Sequence, residues 1–199
     1  MKVLLRKKPR LRLWAGGAIV LLFCVGLISF FHREHVRNFF VDDTLYAEEI
    51  REAALQHHLP PELVRAVVFQ ESRFDPEVQG RAGEIGLMQI LPRGAVAEWA
   101  RIHKCPVPDR VALENVRVNL EIGCFFLARS MRKWAKYKGQ IALALCQYNA
   151  GDRRAAKWAP PDPEDGDILS RITIRSTKKY VADILVRYEK YCKEREAQK

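Results

Sequence analysis

The chain has 199 residues, enough for one domain of ordinary size and an appendage, and 48% of them are hydrophobic, enough for a sizeable core. Its formal net charge is +10, but the segment before residue 38, with eight basic residues and one acidic residue, carries +7 of that charge. Because the remainder carries only +3, composition gives little support for a nucleic-acid-binding domain, which would need a basic surface on its folded part. We therefore expect no nucleic-acid partner.

The first patterned segment, residues 13–31, is nineteen residues long and has no charged side chain. As a helix it would be about 28 Å long, which is enough to cross a bilayer. Residues 1–12 form a basic leader, and the positive-inside rule therefore predicts a cytoplasmic N-terminus and an exported remainder. No small-x-small cleavage pattern follows the apolar run, which favours an uncleaved signal anchor over a cleavable signal peptide. Lipid attachment at Cys24 is a third possibility. Phe23 argues against it, because bacterial lipoprotein signals have a small residue before the cysteine.

Beyond this segment we expect a polar tether at residues 32–41 and a globular domain at residues 42–195. Asp42 or Asp43 offers an N-cap for the first helix of that domain, which would place Leu45 and later apolar side chains roughly on one face.

Pro60 and Pro61 are placed to open a second helix, which is almost wholly apolar over residues 63–69 and should be buried. Glu71 ends that helix. A carboxyl group carried to the edge of a core is partly desolvated, so its pKa rises and it can hold a proton near neutral pH. Such a group can act as a general acid, whereas the alternative is an ordinary solvated glutamate at a helix end.

Glycines at positions 80, 83 and 86 follow Glu71. They permit backbone conformations that other residues resist, so the segment can fold back over the acid and present backbone amides and Gln89 to a ligand. We expect this segment to form one wall of a cleft.

The remaining segments also predict helices. Residues 95–102 continue a helical pattern, residues 104–109 with two prolines predict a loop, and residues 116–134 show the longest helical pattern. Residues 177–194 form a closing helix with its aromatic and aliphatic side chains facing inward. Since no long strand pattern occurs, the predicted fold class is all-α.

An apolar segment at residues 140–148 predicts a central buried helix. It delivers Tyr148 and Asn149 at its end, just as the earlier helix delivers Glu71. Tyr148 can also be read as a core aromatic residue whose hydroxyl is satisfied internally.

Four cysteines fall in the predicted domain, namely Cys105, Cys124, Cys146 and Cys192. An exported domain would meet an oxidising compartment, where four cysteines admit three pairings. Cys124 and Cys146 lie in apolar helical segments and can equally be free core residues. No CxxC or Cys/His spacing indicates a zinc site, so we expect no metal.

Three short motifs occur in order along the domain: ESxF from Glu71, GLMQxxP from Gly86, and YNAG from Tyr148. In this order and at this spacing, residues 45–191 resemble the catalytic domain of the soluble lytic transglycosylase (SLT) family. The resemblance implies a compact, lysozyme-like helical domain, similar to goose-type lysozyme, preceded here by the single N-terminal transmembrane helix. It also implies that the membrane is the bacterial inner membrane and that the catalytic domain faces the periplasm.

The resemblance further implies an activity on peptidoglycan glycan strands without metal or organic cofactor. In the family a single glutamate protonates the β-1,4 glycosidic oxygen between N-acetylmuramic acid and N-acetylglucosamine. The same glutamate then takes the proton of the C6 hydroxyl, which gives a 1,6-anhydro sugar. Glu71 matches that residue, and Met88, Gln89, Tyr148 and Asn149 match positions that line the glycan cleft.

The chain departs from the family pattern at five positions. Gly80 stands where the family usually has Ser, Glu84 where it has Ala, and Gly94 where it has Thr. The family's usual Glu-Thr-Arg-x-Tyr-Val corresponds here to residues 176–181, with Ser176 in place of Glu and Lys178 in place of Arg. We expect Glu84 to be a solvated loop acid that is dispensable for activity. As a second acid it is nevertheless the feature that favours a muramidase-type hydrolase, while Gly80 and Ser176 leave open a degenerate scaffold that only binds glycan.

Overall fold

The computed structural model describes residues 41–197, and the regular elements there are helical. The α-helices are α1 (Ala47–Gln56), α2 (Pro61–Ser72), α3 (Ala97–His103), α4 (Arg110–Glu114), α5 (Val116–Lys133), α6 (Gln140–Ala150), α7 (Asp152–Trp158) and α8 (Arg175–Ala197). A π-helical turn (Pro92–Val96) precedes α3, and a 3₁₀ turn (Leu169–Arg171) precedes α8. Extended pairing within the described range amounts to two isolated β-bridges, so the predicted all-α class is confirmed there.

A boundary between two units of the chain falls between Val41 and Asp42, and the residues from Asp42 onward form one compact unit. The predicted leader and membrane anchor, and the tether up to residue 40, lie outside the described residues. Among the helices of residues 41–197, none is both long enough and apolar enough to cross a bilayer.

Helix α2 forms the centre of the core. Pro61 stands in its first turn, where a residue without an amide hydrogen costs no helical hydrogen bond. The helix packs chiefly against α8 and α1, and the prediction that it is buried is confirmed. At most 4% of the surface of each of six apolar side chains is exposed: Leu63, Val64, Ala66, Val67, Val68 and Phe69. The helix ends after Ser72 because Arg73 adopts a left-handed conformation with φ 53°.

Helix α6 is the second buried helix, as predicted. It packs against α5, α7 and α8, and its residues Leu143, Ala144, Leu145 and Cys146 have no exposed surface. Its C-terminal end and the C-terminal end of α2 line the same cavity. The two buried helices thus bring their polar ends together.

The loop between α2 and the π-helical turn is braced by α5. The side chain of Asn119, which is fully buried, accepts a hydrogen bond from the backbone amide of Met88 at 2.8 Å. It also donates to the carbonyls of Ile85 at 2.9 Å and Leu113 at 2.8 Å. Gly86 has φ 78°, and a Cβ there would overlap the Asn119 amide, so both the backbone and the packing require glycine.

The first helix begins later than the sequence predicts, because neither candidate N-cap is free to cap it. The carboxylate of Asp42 accepts from the backbone amide of Thr44 at 3.0 Å and forms a local turn. The carboxylate of Asp43 pairs with Arg65 of α2 at 2.8 Å. The expectation of an aspartate cap was therefore wrong, and α1 starts at Ala47.

All four cysteines of the domain are free thiols. Cys124 and Cys146 are buried in α5 and α6, as their interpretation as core residues predicts, while Cys105 and Cys192 are partly exposed. The sulfur of Cys124 lies 4.0 Å from that of Met88. Burial raises the pKa of the Cys146 thiol to about 12, so this thiol stays protonated at neutral pH.

Candidate active site

Glu71 lies in the last turn of α2, at the edge of the core. Its Oε1 accepts a hydrogen bond of 2.6 Å from the hydroxyl of Tyr180, which α8 contributes from the opposite side. Helix α2 can present the carboxyl group there because it ends one residue later, where Arg73 turns the chain away.

Burial raises the pKa of Glu71 from 4.5 to about 7. The hydrogen bond from Tyr180 lowers this pKa, and the negative charge of Glu84 raises it, but burial has the largest effect. Burial also raises the pKa of Tyr180 well above its usual value, so its hydroxyl remains a donor at neutral pH. Glu71 is therefore a carboxyl group that can both give and take a proton near pH 7.

The side chain of Tyr148 is hydrogen-bonded to the backbone of Met88. The hydroxyl of Tyr148 donates to the carbonyl of Met88 at 2.9 Å, so the ring of Tyr148 forms the cleft surface while its hydroxyl is satisfied internally. The Met88 side chain is completely buried, and a Cβ at Gly123 of α5 would overlap it. In this structure Met88 thus supports the cleft from below and presents no side-chain atom to it, which differs from the role implied by the family resemblance.

Asn149 and Gln89 do line the cleft. The Oδ1 of Asn149, which is exposed, accepts a hydrogen bond of 2.8 Å from the hydroxyl of Thr177 in α8. Gln89 adopts φ 47°, and its Nε2 donates to the carbonyls of Val78 at 3.0 Å and Gly86 at 3.1 Å. Both side-chain amides are therefore held in fixed orientations.

These residues surround a cavity of about 270 Å³. It is lined by Glu71, Gly80, Arg81, Glu84, Gln89, Leu91, Tyr148 and Asn149. A second cavity of about 350 Å³ shares Gln89, Leu91 and Tyr148 with the first and continues along the π-helical turn and α5, where Phe126 and Arg129 line it. Together the two cavities form an elongated cleft, a shape that suits a chain of sugars better than a single small molecule.

Glu84 does not have the environment that the sequence predicts. It is partly buried and lines the same cavity as Glu71, and its Oε2 accepts from the backbone amide of Ala82 at 2.9 Å. The reason is Gly80, because a Cβ at that position would overlap the Glu84 carboxylate. The second acid of the loop is therefore a residue of the cleft.

Sequence reasoning missed Tyr180 and Thr177 as residues of the site. Both lie in the segment from Ser176 to Val181, which replaces the family's Glu-Thr-Arg-x-Tyr-Val, so a signal for them was present in the sequence. We expected inward-facing side chains there, but not that one of them would reach Glu71. Leu91, which is 42% exposed and lines both cavities, carried no sequence signal.

Within residues 41–197, no group of three or more His, Cys, Asp or Glu side chains is arranged to hold a metal ion. The polar groups that converge on the cavity are two carboxyl groups, one guanidinium group and two side-chain amides.

Residues 48–168 match the family described as Transglycosylase SLT domain. Membrane-bound lytic murein transglycosylase C of Actinobacillus pleuropneumoniae serotype 5b (strain L20) is 34% identical over 84 residues, which are 42% of this chain and 23% of that protein. Membrane-bound lytic murein transglycosylase E of Buchnera aphidicola is 26% identical over 173 residues, which are 80% of this chain and 78% of that protein. The chain thus spans under a quarter of the first relative and most of the second.

Two solved structures share the fold. An inactive mutant of the lytic transglycosylase Slt from Pseudomonas aeruginosa superposes with a TM-score of 0.68 at 24% identity, over 77% of this chain and 25% of that one. The 70 kDa soluble lytic transglycosylase of Escherichia coli gives 0.65 at 23% identity, over 74% of this chain and 24% of that one. The predicted helical architecture is therefore the one found in these proteins.

Proposed function

Because this chain belongs to the Transglycosylase SLT domain family, we propose that it is a peptidoglycan lytic transglycosylase that cleaves the β-1,4 bond between N-acetylmuramic acid and N-acetylglucosamine. The observation that carries this proposal is Glu71: a partly buried carboxyl group with a pKa of about 7, bonded to Tyr180 and facing an elongated cleft. The names of the relatives, which are lytic murein transglycosylases, support the same substrate.

In the first step, protonated Glu71 donates its proton to the glycosidic oxygen, and the bond from that oxygen to C1 of the muramyl residue breaks. The N-acetyl group of the muramyl residue stabilises the electron-poor C1. Glu71 is now a carboxylate, and the hydroxyl of Tyr180 at 2.6 Å is placed to stabilise its charge.

In the second step, the carboxylate of Glu71 takes the proton of the C6 hydroxyl, whose oxygen forms the new bond to C1. The product is a 1,6-anhydromuramyl end, Glu71 is protonated again, and no water is consumed. A pKa of about 7 suits both steps, because the protonated and the ionised forms of the carboxyl group are both well populated at neutral pH.

Three further residues have proposed roles in binding the glycan. The ring of Tyr148 offers an apolar surface to a sugar face, and the Oε1 of Gln89 offers an acceptor. Since Thr177 occupies the Oδ1 of Asn149, the amide nitrogen of Asn149 is left to donate to the substrate.

We also propose that residues 13–31 anchor the protein in the bacterial inner membrane with the catalytic domain in the periplasm. The uncharged run and its basic leader support this proposal, as does the description of the relatives as membrane-bound.

The activity can be tested with the full chain in detergent acting on purified peptidoglycan in H₂¹⁸O, with the products weighed by mass spectrometry. The proposed reaction gives unlabelled 1,6-anhydromuramyl ends. Glu71→Gln keeps the shape of the side chain but cannot exchange a proton, and cleavage should fall by a factor of about 10² to 10⁴ or more.

The same digestion separates the alternatives. Reducing ends that carry ¹⁸O would indicate a muramidase-type hydrolase, which the presence of Glu84 in the cleft favours. An absence of cleavage by a folded protein would indicate a scaffold that binds glycan. Near-normal cleavage by Glu71→Gln would show that Glu71 is not the proton donor.

A further inference from the structure

Gly80 is a glycine that the backbone does not require. Its φ lies outside the left-handed region, whereas Gly83 and Gly86 have φ values of 90° and 78°. The absence of a side chain at position 80 leaves space there for other groups. A Cβ there would overlap the Glu84 carboxylate and would lie 2.7 Å from Oε1 of Gln89, so these two side chains fill the volume that any other residue would take.

The Glu84 carboxylate has one oxygen to spare. Its Oε2 accepts from the backbone amide of Ala82, which fixes the direction of the group. Its Oε1 accepts no hydrogen bond from any residue of the described part of the chain. Gln89 uses its amide nitrogen inside the protein, so its oxygen is also available. Oε2 of Glu84 and Oε1 of Gln89 lie over Gly80, and both residues line the cavity that contains Glu71, so the carboxylate and the amide oxygen form one group of acceptors on its wall.

We propose that Glu84 is a second functional carboxylate of this cleft: the carboxylate group, together with Oε1 of Gln89, accepts hydrogen bonds from the glycan and positions the sugar against Glu71. A pair of acceptors selects ligands that bring donors, which an N-acetylated aminosugar supplies as an amide N–H and hydroxyls. The glycine at position 80 is what admits the carboxylate. This inference rests on the proposed function only for the identity of the ligand as a glycan.

The charge of Glu84 also acts on Glu71. Four groups face Glu71 from the neighbouring elements: Tyr180 from α8, Tyr148 from α6, and Glu84 and Arg81 from the loop. Burial raises the pKa of both tyrosines well above the usual value, so neither is charged at neutral pH. The negative charge of Glu84 raises the pKa of Glu71, and Glu84→Gln should therefore lower it.

Binding provides the first test and needs no activity. The full chain carrying Glu71→Gln is titrated with soluble, uncrosslinked glycan strands of peptidoglycan by calorimetry. Adding Glu84→Ala should weaken binding about tenfold or more, the usual worth of a hydrogen bond to a charged group. Adding Glu77→Ala is the matched control, because Glu77 is an exposed acid of the same loop that does not line the cavity, and it should leave the Kd unchanged. An equal Kd with and without Glu84 would overturn the proposal.

A pH profile tests the electrostatic part. Glu84→Gln should move the alkaline limb of the kcat/KM profile to lower pH, because Glu71 then loses its proton earlier. Glu77→Gln should leave the limb in place. A limb that stays fixed or moves to higher pH in Glu84→Gln would contradict the proposal.

If the wild type forms no anhydro products, the proposed reaction fails, while the binding result still decides the role of Glu84.

The steric coupling of positions 80 and 84 gives a third test. Gly80→Ala should displace the Glu84 carboxylate and weaken glycan binding about as much as Glu84→Ala does. In the double variant the added Cβ still meets Oε1 of Gln89 but no carboxylate, so Gly80→Ala should cost much less in binding on the Glu84→Ala background than it does alone. Losses that simply add would show that the two residues act independently, and thermal unfolding of each variant checks that it remains folded.

Discussion

Three effects of differing sign determine the pKa of Glu71. Burial raises it most, the hydroxyl of Tyr180 lowers it by donating to the carboxylate, and the charge of Glu84 raises it further. The opposing contacts have a chemical purpose in the proposed reaction. Burial keeps the proton on Glu71 for the first step. Once the proton has left, the hydrogen bond from Tyr180 lowers the free energy of the buried carboxylate.

Removing the Tyr180 hydroxyl should separate these effects. In Tyr180→Phe the contact that lowers the pKa of Glu71 is lost, so this pKa rises and the alkaline limb of the kcat/KM profile moves to higher pH. The maximal kcat should fall about tenfold, because the carboxylate formed in the first step loses a charge-assisted hydrogen bond. Measurement of initial rates between pH 4 and about pH 9 checks both effects.

Tyr188→Phe is the matched control, since it makes the same change on α8 at a residue that does not line the cavity. The two cleft variants shift the profile in opposite directions, Tyr180→Phe upward and Glu84→Gln downward. A downward shift in Tyr180→Phe would mean that the tyrosine does not act on Glu71 through this hydrogen bond.

Among the elements, the loop that follows α2 depends on α5 for its shape. Asn119 makes three hydrogen bonds to the backbone around this loop while it is fully buried. Asn119→Ala leaves the amide of Met88 and the carbonyls of Ile85 and Leu113 without that partner. Since an unsatisfied buried polar group costs about 1–3 kcal/mol, the variant should lose about 3 kcal/mol or more of unfolding free energy, and urea denaturation measures this.

A second asparagine in the same region supplies the comparison. Asn115 caps the start of α5 by accepting from the amides of Arg117 and Val118, and it is exposed. Its replacement by alanine should cost only about 1 kcal/mol, the usual worth of an N-cap. Equal losses for the two variants would show that the loop does not depend on Asn119.

The elements that the sequence predicts well are those whose own composition determines them. Helices α2, α5 and α6 are long enough for their apolar pattern to be read, and the structure forms them near the expected bounds. Helices α4 and α7 have only five and seven residues, and no periodicity can be recognised over one or two turns. The start of α4 is determined by a single contact, in which the side chain of Asp109 accepts from the amide of Ala112.

The candidate site follows the same rule. Glu71, Tyr148 and Asn149 are predictable because each lies at the end of a buried helix, so their position at the edge of the core follows from the pattern. The position of Glu84 is not predictable in this way. It depends on the space over Gly80, four residues earlier, and a loop sequence alone does not show which of its side chains shares that space.

On the scale of the whole molecule, the start of the domain is tied to the helices that carry the site. Asp43 bonds to Arg65 of α2 through both its carboxylate and its carbonyl, each at 2.8 Å, and to the hydroxyl of Tyr191 in α8 at 2.8 Å. Helices α2 and α8 also carry Glu71 and Tyr180. The chain therefore enters the domain at a fixed point on the pair of helices that carries Glu71 and Tyr180.

The segment before that point should determine where the enzyme works. Residues 13–31 are uncharged and follow a leader with six basic residues, which predicts a cytoplasmic N-terminus and an exported domain. Alkaline phosphatase, which is active only after export, should therefore be active when it is fused after Lys199. The protein should remain in the membrane fraction, and its N-terminal peptide should be intact by mass spectrometry because no cleavage pattern follows the apolar run. A matched fusion without residues 13–31 should be inactive. An inactive full-length fusion would show that the domain is not exported, and a shortened N-terminus would show that the segment is a signal peptide that releases the enzyme.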